Sequence, residues 1–209
     1  MSEKILVLKT IRADGKCYYS EASFVYPEVG GEVVAPKWKP TDECDEFGLY
    51  GLGYGVGGAN YLNDYADALW LVIEVDPADY HEMDDKCKFR AGTVVYRGAK
   101  EGAIRMLCDA YPDKPVVFAM KSGGLRSTLT GGHHSTLTGG YRSTLTGGYR
   151  STLTGGHHST LTGGDGSMLC WKVWDGERYR LHVRYVGEDG IKADTPYKWV
   201  NGEIAEVTL

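Results

Sequence analysis

The chain of 209 residues is short of several things that would define a function class quickly. It has no long apolar run: the strongest, Leu69-Trp70-Leu71-Val72-Ile73, is far too short to span a bilayer. Its five cysteines (17, 44, 87, 108 and 170) are odd in number and scattered, giving neither a disulfide framework nor a CxxC metal pair. Met1-Ser2-Glu3-Lys4 leads straight into the strand-like Ile5-Leu6-Val7-Leu8 with no secretory n-region. Reduced thiols in a cytoplasmic protein are the expectation. No Ser-His-Asp or Cys-His spacing is recognisable, and the sequence implies no cofactor.

Acidic residues are also missing from one stretch. Residues 1–120 carry 20 acids and 13 bases, a net of −7, and residues 165–209 carry 8 and 6. Residues 121–164 between them carry no acid and four bases, Lys121, Arg126, Arg142 and Arg150. Three segments follow: an α+β N-terminal domain (1–118), a middle (119–166) and a C-terminal cap (167–209). Four cations are too few for a strong duplex-DNA footprint, so nucleic acid is not expected as a partner.

What is present is a repeat. From Leu125 the chain reads LRSTLTGG, HHSTLTGG, YRSTLTGG, YRSTLTGG, HHSTLTGG, with degenerate copies in phase on both sides. In Ser-Thr-Leu-Thr, strand alternation puts Ser and Leu on one face and both Thr on the other. The Gly-Gly pair is expected to supply the positive φ of a corner. Eight residues cannot close around a core, but two units can. The prediction is a 16-residue coil of two strands, with Leu129, Leu137, Leu145, Leu153 and Leu161 inside. Coils would stack about 4.8 Å apart as a narrow parallel β-solenoid of roughly three turns. A flexible Gly/Ser/Thr linker would have no reason to place Leu at every eighth position.

The unit Gly140-Tyr141-Arg142-Ser143-Thr144-Leu145-Thr146-Gly147-Gly148 resembles the repeat of bacterial ice-nucleation proteins, Ala-Gly-Tyr-Gly-Ser-Thr-x-Thr-Ala-Gly. The resemblance implies outward Thr-x-Thr pairs that order water: Thr128/Thr130, Thr136/Thr138, Thr144/Thr146, Thr152/Thr154 and Thr160/Thr162. Gly stands here where the family has Ala after the second Thr, and Arg where it has Gly after Tyr. The array is also short, so ice affinity rather than ice nucleation is the expectation. Residues 16 apart stack, placing Tyr149 over His133 and His157 over Tyr141, with Arg142 and Arg150 at the same corners. His133-His134 and His157-His158 lie one and a half coils apart, on opposite corners, and are not read as a metal site.

Asp175-Gly176 and Asn201-Gly202 each sit between alternating runs and predict two hairpins capping the solenoid. In the first, Tyr179, Leu181, Val183 and Tyr185 share one face, and Arg178, Arg180, His182 and Arg184 share the other, read as solvated. In the N-terminal region Lys4–Arg12, Cys17–Tyr26, Glu32–Ala35, Leu69–Val75 and Thr93–Arg97 are strand candidates, and Ala99–Tyr111 is the one clear helix, ended by Pro112. Gly53-Tyr54-Gly55-Val56-Gly57-Gly58 matches GxGxxG but lacks the flanking strand and helix of a nucleotide site, and reads as a mobile loop. Lys9–Gly15, Cys44 through Gly51, Val72–Asp76, Lys86–Arg90 and Val94–Gly98 resemble N-terminal domains of uncharacterised bacterial and phage proteins that carry octapeptide arrays. Those commonly have His where Tyr50 stands.

The expected function is therefore non-enzymatic. The solenoid would present Thr-x-Thr faces for protein association, including a homodimer, or for ordering water or ice. Two alternatives are a phage-type inhibitor or decoy of a host protein, and an ADP-ribosyltransferase-like enzyme built on Val95-Tyr96-Arg97-Gly98 with Glu203 and Glu206.

Overall fold

A computed structural model describes residues 3–18 and 24–208 of the chain. It divides into two compact units, residues 1–112 and 113–209, and is mainly β.

The first unit is built on β1 (Ile5–Ile11), β2 (Glu32–Val34), β3 (Leu49–Gly53), β4 (Leu69–Val75), β5 (Tyr80–Glu82), β6 (Cys87–Phe89) and β7 (Ala91–Gly98). They form one antiparallel sheet in the order β2-β7-β4-β1-β3-β6-β5. The two most apolar strands, ILVLKTI and LWLVIEV, take the middle and pair in register from Ile5↔Val75 to Ile11↔Leu69. Alternation then sends Val7, Ile11, Leu71, Ile73 and Val75 to one core, joined by Val33, Cys87, Phe89 and Val94. α1 (Lys100–Ala110) packs on β4 and β7 through buried Ala103, Ile104 and Leu107.

The expected strand Cys17–Tyr26 falls partly on residues 19–23, outside the described residues. What is described there is an isolated bridge between Lys16 and Val25. β3, β5 and β6 were not foreseen. β3 corrects the reading of the GxGxxG stretch, since a strand does precede it, though only a single 3-10 turn, Ala59–Tyr61, follows. The loop is tied down: Gly58 N–H donates to Asp85 C=O at 2.8 Å. Its glycines make room for protein, because a Cβ on Gly53 would sit 2.1 Å from the Tyr80 hydroxyl and one on Gly57 2.2 Å from Asp85 C=O.

The second unit opens with β8 (Met120–Ser122), β9 (Thr128–Thr130), β10 (Thr136–Thr138), β11 (Thr144–Gly147), β12 (Thr152–Gly156), β13 (Thr160–Gly163) and β14 (Met168–Trp174). Even-numbered strands stack in one sheet and odd-numbered ones in another, all parallel, each residue over the one 16 positions on. This is the β-solenoid of about three turns. Two hairpins follow. β15 (Tyr179–Tyr185) turns back on β14 at Asp175-Gly176, and β16 (Pro196–Val200) and β17 (Glu203–Glu206) turn at Asn201-Gly202. The sheets read β15-β14-β12-β10-β8 and β17-β16-β13-β11-β9, so each hairpin finishes one sheet.

Candidate functional site: the solenoid faces

Two columns of side chains fill the solenoid. Leu137, Leu153 and Leu169 stack from one sheet and Leu145 and Leu161 from the other, all fully buried, with Leu129 partly buried at the first coil and Trp171 packed in the same core, donating its indole N–H to Ser159 C=O at 3.0 Å. Beside them runs a ladder of serines whose role goes beyond being small. Ser151 Oγ donates to Gly132 C=O (3.1 Å) and accepts from Ser135 N–H (3.1 Å), and Ser167 repeats this toward Gly148 and Ser151 at 3.0 Å in both bonds. Each buried hydroxyl therefore joins its own coil to the one before, satisfying main-chain groups that the corner would otherwise orphan.

The corners correct the sequence reading. The residues with positive φ are not the glycines of the Gly-Gly pairs but the second member of each variable pair: Arg126 (57°), His134 (57°), Arg142 (58°), Arg150 (53°) and His158 (64°), with Gly166 (65°) at the equivalent place in the last coil. The glycines are needed for space. A Cβ on Gly139 would lie 2.6 Å from Ser143 Cβ, and one on Gly156 2.8 Å from the carbonyl carbon of Gly140 in the coil before. The first glycine admits the serine ladder and the second lets backbones approach.

The side chains at the corners stack as the 16-residue period requires. Tyr149 meets His133 edge-on at 6.1 Å and His134 at 5.8 Å, and Tyr141 meets His157 at 6.5 Å and His158 at 5.5 Å. Arg142 and Arg150 fold back over the rings of Tyr141 and Tyr149. His158 titrates below the ordinary imidazole range, chiefly from partial desolvation and then from His157 and Arg142 beside it. Among the described residues no group of three or more His, Cys, Asp or Glu is placed to hold a metal.

With Leu and Ser inside, both Thr of every unit face outward. On one sheet Thr152 sits directly beside Thr136 and Thr154 beside Thr138; on the other Thr128, Thr144 and Thr160 form one row and Thr130, Thr146 and Thr162 the next. Hydroxyls thus recur about 6.6 Å along a strand and about 4.8 Å between strands. Thr128, Thr136, Thr138 and Thr146 are exposed, and Thr130, Thr144, Thr152, Thr154 and Thr162 partly so. Thr160, paired with Lys198 of β16, is only 4% exposed, so the cap closes off that end of its row. On the first sheet the Thr rows pass into Met168 and Cys170, whose thiol burial pushes up.

The cap also departs from expectation on one strand face. Arg178 and Arg180 are exposed as expected, whereas His182 is half-buried and stacks on Trp199 of β16 at 3.7 Å. The apolar members of β15 are outward as well, with Tyr179 60%, Leu181 63% and Tyr185 49% exposed.

In the first unit, Asp45 and the fully buried Lys88 pair at 2.9 Å, and the Tyr50 hydroxyl donates to Asp45 at 3.0 Å. That Asp45 is held at about 2, first by Lys88 and then by the N–H of Phe47 and the Tyr50 hydroxyl. Nearby, Asp42, Cys44, Tyr61, Glu82, Asp84 and Lys86 line an open acidic cleft of about 700 Å³. His81 lies on β5 with Nε2 2.9 Å from Asp42. Arg97 hydrogen-bonds the carbonyls of Tyr26 and Pro27, and Glu206 accepts from Lys192.

Against known proteins the chain is similar to ice nucleation proteins. It is 33% identical over 110 residues to that of Pseudomonas fluorescens, covering 52% of this chain and 9% of that one. It is 46% identical over 112 residues to that of Xanthomonas campestris pv. translucens (53% and 7%). For that of Pseudomonas syringae the figures are 48% over 107 residues (50% and 9%). The chain thus carries an ice-nucleation-like repeat, and it spans less than a tenth of the length of these relatives. No family model matches, and no solved structure matches. Among the described residues no helix is long and apolar enough to cross a membrane.

Proposed function

We propose that this chain is a non-enzymatic repeat protein whose solenoid orders water on its Thr-x-Thr faces and adsorbs to ice. The observation that carries the reading is the in-register stacking of identical Thr pairs at a fixed spacing on two parallel-stranded sheets. A threonine on a strand is stiff at χ1 because it is β-branched, so each hydroxyl and methyl is held in one place without a partner fixing it. A rigid array of alternating hydroxyl and methyl groups constrains bound water at low entropic cost. The relatives are ice nucleation proteins by name, which supports the same chemistry for the repeat. The array here is two Thr pairs on one sheet and three on the other, which favours adsorption to ice over starting a crystal. The free thiols, Cys44 exposed among them, favour a reducing compartment, and we place the protein in the cytoplasm.

The experiment is partition of the folded protein into slowly growing ice, with ice shaping as a second readout. The parent chain should enrich in the ice, and Thr136→Lys with Thr152→Lys, which leaves the Leu and Ser columns untouched, should reduce that enrichment. Adding Thr128→Lys and Thr144→Lys on the other sheet should abolish it. A parent chain excluded from ice like an ordinary solute, or a quadruple variant still enriched, would refute the reading.

A further inference from the structure

The free edge of β15 points to a second function for the cap, distinct from the Thr faces. We propose that β15 pairs antiparallel with the β15 of a second copy of this chain, on a two-fold axis through His182, so that one sheet runs continuously through both molecules.

Three observations carry this. The first is that β15 is the last strand of its sheet, seven residues long, contains no proline and bears large apolar side chains on its exposed face. Such an edge offers unpaired N–H and C=O groups to another strand. The second is the parity of those groups. Val186 N–H donates to Ser167 C=O at 2.9 Å and Asp175 N–H to Arg178 C=O at 3.0 Å. In an antiparallel ladder alternate residues bond to the same neighbour, so the even-numbered residues of β15 face β14. The main-chain groups of Tyr179, Leu181, Val183 and Tyr185 are turned to the open edge, where Tyr185 C=O also accepts from Glu188 N–H at 3.2 Å and keeps one lone pair for a strand partner. A two-fold axis at His182 pairs odd residues with odd ones, Leu181 with the second copy's Val183 and Tyr179 with its Tyr185, which is the parity needed for both hydrogen bonds of each pair.

The third observation is the sequence itself. Tyr179-Arg180-Leu181-His182-Val183-Arg184-Tyr185 reads nearly the same in both directions. A strand that meets its own copy antiparallel sees its sequence reversed, so only a near-palindrome places like beside like. Here that sets tyrosine beside tyrosine and Leu beside Val on the outer face, both favourable cross-strand pairs. On the other face Arg180 comes opposite Arg184. Arg180 is already neutralised by Asp175 at 2.6 Å, and Arg184 is bonded to Val183 C=O at 2.8 Å, which keeps a second lone pair for the pairing.

The test is solution mass by sedimentation, in reductant, with folding followed by circular dichroism. The parent chain should show twice the chain mass. Leu181→Lys/Val183→Lys and Leu181→Glu/Val183→Glu should each be single chains, since like charges then face each other across the axis. An equimolar mixture of the two should regain the doubled mass. Deleting Ser135–Arg150, one whole coil, should leave the doubled mass intact; its loss there would assign association to the Thr faces instead. As a check that does not depend on the charged variants folding, His182→Cys in a Cys44→Ser background should oxidise to a covalent dimer. Facing residues at a non-hydrogen-bonded position lie about 4.5 Å apart at Cα, within disulfide reach. Arg180→Cys, opposite Arg184, should not cross-link. A parent of single-chain mass, double variants that stay dimeric, or a mixture that stays monomeric would each overturn the proposal.

Discussion

At the scale of single residues, the outward and inward choices follow from alternation, and the leucine column could be read directly from the sequence. The serine ladder could not, because nothing in the spacing distinguishes a small filler from a hydroxyl bridging coils. Its energetic weight is testable. Ser151→Ala removes an acceptor from the buried N–H of Ser135 and a donor from Gly132 C=O. Leaving a buried amide unpaired costs about 1–3 kcal/mol, whereas Thr138→Val on the exposed face should cost a few tenths. Urea unfolding of the two variants, side by side, separates a stitched ladder from mere packing. Lys88 was equally invisible, since lysines are rarely buried and only the fold brings Asp45 to it. Asp45 is held at about 2, below its ordinary 3.8, so its contribution is complete above pH 3.8 and is lost as pH falls through about 2. Lys88 loses by burial but gains more from Asp45 and Tyr50 and ends above its ordinary value, so its contribution fades only as pH rises beyond 10.5. The pair's contribution should thus be flat between those limits. Asp45→Asn should destabilise more than Asp45→Asn combined with Lys88→Met, because the single change strands a buried ammonium.

At the scale of elements, the hairpins announced themselves through Asp-Gly and Asn-Gly, and the helix through its 3-4 spacing. The strands β3, β5 and β6 were hidden because three to five residues interrupted by Gly, His or Lys carry too little periodicity to register. The solenoid corner shows a different kind of miss. Glycine is the default residue for positive φ, yet here it is consumed by close approach, and the left-handed position falls to Arg or His one residue before the serine. An unbranched side chain tolerates that region at about 1–2 kcal/mol, and a β-branched one does not. Arg142→Gly should therefore leave the unfolding midpoint close to that of the parent, relief of strain offsetting the added freedom of the unfolded chain. Arg142→Val should lower stability by at least about 1 kcal/mol. Gly156→Ala, at an ordinary φ, should be worse than either, because its methyl meets the backbone of the neighbouring coil. Thermal unfolding of these three variants would rank them; Gly156→Ala milder than Arg142→Val would mean the coils are less tightly apposed than the structure has them.

At the scale of the second unit as a whole, the eight-residue period and the 16-residue coil together make a prediction that no single element makes. Because both strands of a coil have the same sequence, shifting the chain by eight residues returns every Leu and Ser to the interior and every Thr to the outside. Deleting Ser135–Arg150 removes one full coil, and deleting Ser143–Arg150 removes half a coil while exchanging which sheet each hairpin finishes relative to β8. Both should fold with parallel stacking, retain cooperative unfolding, and show an urea m-value reduced in proportion to the surface lost. Deleting Thr144–Arg150, seven residues, should not. The junction then reads Tyr141-Arg142-Ser143-Ser151-Thr152-Leu153, one residue too many for a corner whose left-handed position lies just before the serine, so either the corner bulges out of the serine ladder or the following strand slips and turns its Leu outward. The comparison isolates phase from length, since the chain one residue shorter than the seven-residue deletion product is the one expected to survive. If all three deletions unfolded alike, packing between particular coils, rather than the repeat's own periodicity, would be what holds the solenoid together.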